Sequence, residues 1–233
     1  MRNLAGLAAT ADGLVLADAR AGVVIELGQD GGVRARWNLS EPQAVAVDPA
    51  GRIFAAAGER LYRLTRDAAP VAIAAQGDFA PVAALTVDGL GRLWLVDRRG
   101  ERVGRVDPGA EAPTQVWQSR DSRLVALAWD GRRLIAGDAR GKTIVALDAG
   151  GARQPLALDA VLRPRSLAVD AAGRIAVLDG REDAVLLLAS DGRPLGRFDC
   201  KLAGIARPRA VALAPDGALH VFDESSGAWV RVS

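Results

Sequence analysis

Two stretches of the chain repeat nearly the same pattern. They are RPRSLAVDAAGRIAVLDG, residues Arg163–Gly180, and RPRAVALAPDGALHVFDE, residues Arg207–Glu224. Each has a basic-proline-basic triplet, an apolar run, a turn containing glycine, and a second apolar run that ends in an acidic residue. Repetition at a fixed period determines the architecture of a chain before any single element does.

The pattern occurs six times along the chain. The units begin LAGLAATADGLVLAD, PQAVAVDPAGRIFAAA, VAALTVDGLGRLWLVD, LVALAWDGRRLIAGD, PRSLAVDAAGRIAVLD and PRAVALAPDGALHVFD. The residue that ends the second apolar run recurs at spacings of 39, 40, 41, 41 and 44, at Asp18, Ala57, Asp97, Asp138, Asp179 and Asp223. Short apolar runs separated by such turns predict antiparallel strands joined as hairpins. No long run keeps a helical period, so we expect almost no helix.

The third unit shows how many strands each repeat contains. It reads as AALTV, RLWLV, RVGRV and TQVWQ, each followed by a turn. Six such units predict an all-β chain, a six-bladed β-propeller of four-stranded antiparallel blades in a single domain, 1–233. The expected blades are 4–39, 40–80, 81–120, 121–162, 163–206 and 207–233.

The sixth unit supplies only three strand segments, and three residues precede the first unit. We therefore expect a last blade that is three-stranded or completed from outside the chain. Its outer strand, near Ala228–Ser233, is then an unpaired edge open to strand addition by a partner.

The units resemble the NHL family of six-bladed propellers. The resemblance rests on P-x-x-[VL]-A-V-D-x-x-G-R-[IL]-x-x-x-D, seen at Pro42–Ala57 and Pro164–Asp179, and covers nearly the whole chain. It implies the fold and is unspecific for function. The chain departs from the family at Ala57, where the strand-ending Asp is expected, and at Arg52, Arg92 and Arg174, where the family often has Asn.

Composition limits the function classes. The net charge is 30 − 28 = +2, and 28 of the 30 basic residues are arginine. No apolar run approaches the roughly 20 residues that span a bilayer. The first thirteen residues match a signal peptide poorly, so we expect a cytoplasmic protein unless a leader has been removed, in which case it is periplasmic or extracellular. The lone Cys200 excludes an intrachain disulfide and is typical of a small buried hydrophobe.

Few residues of the chain carry catalytic chemistry. Amidating lyases that resemble NHL propellers use histidine-bound zinc, and lactonases of similar shape hold a divalent ion with Glu, Asn and Asp. Here the only histidine is His220, set within an apolar strand, and the only asparagines are Asn3 and Asn38. No nucleotide or hydrolase motif occurs. The strand-ending aspartates favour turn capping over metal binding because nearly every unit has one. The sequence predicts no cofactor and no metal site; a hydrolase or lactonase with a metal in the axial channel remains the enzymatic alternative.

The arginines are distributed unevenly over the predicted loops. Loops between blades and between second and third strands carry 14 basic and 8 acidic residues, or +6, which falls to +1 if the five strand-ending aspartates stay fully exposed. The other loops carry 8 basic and 12 acidic residues, or −4. The leading hypothesis is a non-enzymatic scaffold that binds a protein or peptide partner, possibly acidic, on the basic face. The candidate residues are Arg163, Arg165, Arg207 and Arg209, supported by Arg98, Arg99, Arg120 and Arg123.

RNA or another polyanion is the second candidate ligand. Arginines suit phosphates, but single strands also need aromatic platforms. The loops of the basic face offer only Phe79, because the tryptophans fall in or beside strands.

Overall fold

The chain is a six-bladed β-propeller of five four-stranded antiparallel blades and a three-stranded last blade, as the repeat predicts. The computed structural model describes residues 3–156, 162–214 and 216–232. Helix is limited, within this part, to one 3₁₀ turn at Gly77–Phe79. No helix in these residues has the length and apolarity needed to cross a membrane.

The strands fall into two compact units, Met1–Gln118 and Ser119–Ser233. Three blades make up the first unit. Their strands are β1 Leu4–Thr10, β2 Gly13–Asp18, β3 Val23–Gly28 and β4 Val33–Asn38; β5 Pro42–Val47, β6 Ile53–Ala57, β7 Arg60–Leu64 and β8 Val71–Ala75; and β9 Val82–Val87, β10 Leu93–Asp97, β11 Arg102–Val106 and β12 Thr114–Gln118.

The second unit contains the other three blades. Their strands are β13 Leu124–Trp129, β14 Leu134–Asp138, β15 Thr143–Leu147 and β16 Arg153–Pro155; β17 Pro164–Val169, β18 Ile175–Asp179, β19 Ala184–Leu188 and β20 Pro194–Asp199; and β21 Pro208–Leu213, β22 Leu219–Asp223 and β23 Ala228–Val232. The outer strand β23 lies where the sequence predicts an edge, while Ser233 and part of the connection after β16 fall outside the described residues.

Apolar layers between successive blades form the core of each unit. In the first unit, one layer joins β2 and β3 to β5 and β6, and the next joins β5–β7 to β9 and β10. Small residues allow the first strands to approach closely: a Cβ added at Gly6 would lie 2.8 Å from the Val45 backbone nitrogen. In the second unit, corresponding layers join the blade of β13–β16 to that of β17–β20, and the latter to the blade of β21–β23.

Every blade begins with a β-bulge. The first residue of the first strand pairs with the last residue of the second strand, and the next residue is skipped in the register. The skipped residues are Ala5, Gln43, Ala83, Val125, Arg165 and Arg209. A bulge bends its strand and redirects one side chain, so two of the candidate arginines occupy specialised positions in neighbouring blades.

Candidate functional site

The strand-ending aspartates cap the turns that follow them. Asp138, which is fully buried, accepts the backbone N–H groups of Arg123, Arg140 and Gly141 at 2.9–3.1 Å on Oδ1. Arg153 donates to its other oxygen at 2.9 Å. Equivalent backbone bonds are made by Asp18, Asp97, Asp179 and Asp223. The carboxylates are therefore used for turn capping, as the sequence predicts.

The exception at Ala57 has a local cause. The turn between β6 and β7 contains only Gly58 and Glu59, whereas the equivalent turn of every other blade has four residues. Gly58 adopts the left-handed conformation, with φ of 54°, that so tight a turn requires. The turn donors to Asp138 are Arg140 and Gly141, two and three residues after it. In the short turn the third residue after Ala57 is already the strand residue Arg60, which pairs with Ala57, so an aspartate there would lack these turn donors.

A second set of aspartates pairs with the arginines that replace the family's frequent Asn. Asp88 in the β9–β10 turn accepts N–H from Leu90 and Arg92 on Oδ1, and the Arg92 Nε lies 2.6 Å from Oδ2. Trp94 Nε1 donates to the same Oδ2 at 2.9 Å. The same Asp–Arg pair recurs as Asp48–Arg52, Asp130–Arg133 and Asp170–Arg174. These charges thus neutralise each other inside the hairpin turns.

The single histidine and the single cysteine are both buried. His220 lies in β22, buried, and burial followed by the nearby Arg231 lowers its pKa, so the ring is neutral near pH 7. Cys200 is also buried, and desolvation raises its pKa to about 11. Among the residues that the structure describes, no group of three or more His, Cys, Asp or Glu side chains is arranged to hold a metal ion.

The two basic-proline-basic triplets adopt the same conformation. Arg163 and Arg207 each donate a backbone N–H, at 3.0 and 2.9 Å, to the aspartate that ends the second strand of the same blade. Proline then begins the first strand, where its fixed φ suits an extended start. Arg165 and Arg209 follow as the bulged residues, and all four arginines are exposed.

Arg165 connects neighbouring blades. Its guanidinium donates to the Pro208 carbonyl at 3.2 Å and to the Gly180 carbonyl at 3.4 Å. Gln43, the bulged residue of the second blade, also binds two segments, the Gly58 carbonyl and the Val82 N–H. Arg165 therefore holds the second triplet beside the first and has less freedom to bind a partner than the sequence alone suggests.

The side chains of the other three arginines of the triplets are less constrained and more available to bind a partner. Arg207 lies 3.0 Å from Glu224, and its side chain is 69% exposed. Arg163 and Arg209 have no side-chain partner among the described residues. Three further exposed arginines therefore belong to the two triplets that Arg165 joins.

An inserted turn between the fifth and sixth blades borders these triplets. Asp199 accepts the N–H groups of Lys201 and Leu202, which shapes the turn, and Leu202 is 89% exposed. Lys201 Nζ and Arg165 share Asp183, at 3.9 and 3.8 Å. Leu202 was not among the residues predicted from the sequence. The only sequence signal for this turn is the spacing of 44 between the last two units, the longest of the series.

The supporting arginines lie in both units. Arg98 and Arg99 are exposed in the β10–β11 turn of the first unit. Arg120 and Arg123 are exposed in the segment before β13 of the second unit. Phe79, the one aromatic residue of the predicted basic loops, is buried, with the Arg102 guanidinium 4.9 Å from its ring centroid. It is therefore not an open platform for a base.

Buried aspartates alter the charge expected from the loops. Burial would raise the pKa of Asp223, but hydrogen bonds from Ser225 and the Arg207 backbone lower it to about 2. For Asp138, backbone hydrogen bonds likewise outweigh desolvation and lower the pKa. Because these two buried carboxylates stay charged, they lower the +6 expected of these loops to 6 − 2 = +4.

Comparisons with known proteins identify the fold. No family model matches the chain, so the NHL resemblance remains a prediction, and no curated protein matches its sequence. Virginiamycin B lyase from Staphylococcus aureus has a similar structure, with a TM-score of 0.69 and 13% identity over 99% of this chain and 84% of that one. A Xanthomonas campestris gluconolactonase gives 0.72 and 19% over 94% and 82%.

A chain of a nidogen/laminin complex is also similar, with a TM-score of 0.73 and 15% identity over 90% of this chain and 84% of that one. Identities this low show a shared architecture only, since one fold hosts unrelated functions. The chain thus has the six-bladed propeller fold found in a lyase, a gluconolactonase and a chain of a nidogen/laminin complex.

Proposed function

We propose that this protein is a non-enzymatic interaction module that binds an acidic protein or peptide segment at the triplet cluster. The cluster is defined as Arg163, Arg165, Arg207 and Arg209 with the inserted turn at Leu202. The observation that carries the proposal is that Arg165 joins the two arginine-flanked triplets and shares Asp183 with Lys201, the residue before the exposed Leu202. This inserted turn lies at the blade connection that departs most from the repeat. In repeat proteins, insertions often form the binding face.

The chemistry of the cluster suits a short segment that contains both acidic and apolar residues. Guanidinium groups bind carboxylates in a bidentate manner, and a nearby apolar side chain adds apolar surface that is buried on binding. Arg165 acts as a positioning residue, because its bonds to Pro208 and Gly180 fix the separation of the two triplets. Arg120 and Arg123, which lie in the same unit as the triplets, are proposed to extend the contact with a longer ligand.

A matched pair of charge-reversal variants tests the proposal. The probe is a fluorescein-labelled synthetic peptide of alternating Glu and Leu, and its binding is measured by fluorescence anisotropy. Arg163→Glu/Arg209→Glu is expected to weaken binding by at least about tenfold. Arg132→Glu/Arg193→Glu changes the net charge equally, at two exposed arginines in turns of the same unit, and is expected to change binding by less than about twofold.

Leu202→Ser separates apolar contact from charge. We expect it to weaken the same peptide several-fold without changing its salt dependence. Equal losses for the two arginine pairs would overturn the proposal, because they would indicate a nonspecific response to net charge. Tighter binding of oligouridine than of the peptide, with a steep salt dependence, would also overturn it in favour of RNA.

A further inference from the structure

Within the described residues, no fourth strand lies beside the third strand of the last blade, whereas every other third strand has one. The second residue of each of the other third strands is 0% exposed; these residues are Val24, Leu61, Val103, Ile144 and Val185. In β23 the equivalent residue is Trp229, which pairs with Phe222 as Val24 pairs with Ala17. Trp229 remains partly exposed, although it is the largest side chain of the six.

Fourth strands cover this position with an apolar side chain. Val24 pairs with Trp37, Val103 with Trp117, and Val185 with Phe198. Leu61 pairs instead with Ala74. The large Ile144 lies opposite Leu156. The smaller valines thus face aromatic rings, whereas leucine and isoleucine face aliphatic side chains. A strand added beside β23 would accordingly present a small residue to Trp229.

The backbone of β23 has an open hydrogen-bonding edge. In four complete blades the carbonyl of the residue before the third strand accepts an N–H from the segment that follows the fourth strand, as Gly22 does from Leu39 at 3.0 Å. Ile144, which is equivalent to Trp229, accepts from Leu156 at 3.0 Å. By the same register, the N–H and C=O groups of Trp229 and Arg231 point away from β22.

Nothing in the sequence of β23 protects this edge. Exposed edge strands usually carry proline, several charges or a bulge. AWVRV has one charge, on Arg231, and that guanidinium lies 2.6 Å from Asp216. The register with β22 is continuous from Ala228 to Val232.

We propose that the edge of β23 binds in trans one extended segment of another polypeptide, which becomes the fourth strand of the last blade. The segment pairs antiparallel with Ala228–Val232, is uncharged at its centre, and places a small residue opposite Trp229. Main-chain hydrogen bonds supply affinity and the Trp229 position supplies selectivity, as in other cases of strand addition. This surface is separate from the triplet cluster in the residues it uses.

Two peptides copied from this chain test the proposal. TQVWQS is residues 114–119, the fourth strand of the third blade and its next residue, and it carries no side-chain charge. TQVAQS replaces the tryptophan with alanine. We expect the 233-residue protein to bind fluorescein-labelled TQVAQS at least about tenfold more tightly than TQVWQS, and Trp229→Val to reverse this preference, because the combined volume is then restored.

Matched variants test the main-chain component. Arg231→Pro removes an edge-facing N–H and the Asp216 pair, whereas Arg231→Ala removes only the pair. We expect Arg231→Pro to lose at least about tenfold in TQVAQS affinity relative to Arg231→Ala. Peptide binding to the unmutated protein should slow hydrogen exchange at the Trp229 and Arg231 amides and leave the Val230 amide, which already faces β22, unchanged.

Several outcomes decide against the proposal. Peptide binding without protection of the Trp229 and Arg231 amides would overturn it, and that measurement does not require a variant to fold. Self-association that Arg231→Pro abolishes would assign the edge to a second copy of the chain instead. Arg163→Glu/Arg209→Glu should bind TQVAQS normally, so failure here is distinguishable from failure of the triplet-cluster proposal.

Discussion

Removal of one buried carboxylate tests the turn-capping mechanism. Asp138→Ala would leave the N–H groups of Arg123, Arg140 and Gly141 without their acceptor. Leaving a buried donor unsatisfied costs about 1–3 kcal/mol. Water reaches this turn because Arg140 and Gly141 are exposed, so the lower value applies to each group, and the expected loss is about 3 kcal/mol.

Asp138→Asn separates the hydrogen bonds from the charge. The amide oxygen can still accept the three N–H groups, while the NH₂ group meets the Arg153 guanidinium, which lies 2.9 Å from Oδ2 in the native protein. Because Arg153 is about one-third exposed, the expected loss is only about 1 kcal/mol. Ala57→Asp is the matched control: its two-residue turn lacks the donors equivalent to Arg140 and Gly141, so the substitution should not raise stability.

Urea unfolding at pH 7, followed by circular dichroism, measures these differences. The lowered pKa of Asp138 makes its ionised form stabilising above the ordinary value of 3.8. The difference between the native protein and Asp138→Asn should therefore shrink as the pH falls below about 4. A loss below about 1 kcal/mol for Asp138→Ala, or equal losses for the Ala and Asn variants, would refute the capping mechanism.

Three further predictions concern other buried groups. Arg66→Ala should lower the free energy of unfolding, measured in urea, by about 2 kcal/mol, because it leaves the buried Glu26 carboxylate, 2.8 Å from Arg66 Nε, without its partner. Arg63→Ala is the exposed control and should change the free energy of unfolding by less than about 0.5 kcal/mol. The Cys200 thiol, with a pKa of about 11, should react with a disulfide reagent only slowly in the native protein and rapidly in urea, and fast native reaction would show that the site opens. Asp223, with a pKa of about 2, should stabilise the folded state above pH 3.8 by about 1–2 kcal/mol after solvent screening, and Asp223→Asn should remove that contribution at pH 7 but not near pH 2.

The period of the sequence was sufficient to predict the blades. Strand positions follow from local chemistry: alternating short apolar runs favour extended backbone, and glycines and aspartates favour turns. For the same reason the strand-ending aspartates could be assigned to turns before any contact was known. The three-stranded last blade also followed from counting the segments after Arg207.

The candidate site could be predicted only in part. The triplets stand out in the sequence because they repeat, but Arg165 and Arg209 look alike there. Their roles differ because a bulge directs Arg165 to the carbonyls of Pro208 and Gly180, contacts that depend on which strands become neighbours. Leu202 was missed because an exposed leucine in a loop has no sequence signature of its own.

By itself, the sequence determined the elements of this protein, since strands and turns depend on residues close together in the chain. Only the tertiary structure decided which side chains are available to bind another molecule. Asp138 accepts hydrogen bonds from its own turn, Arg92 pairs with Asp88, and Trp229 is partly exposed in a strand that no described fourth strand joins. Availability depends on how distant segments pack, because burial and hydrogen-bond partners arise from contacts between blades and strands.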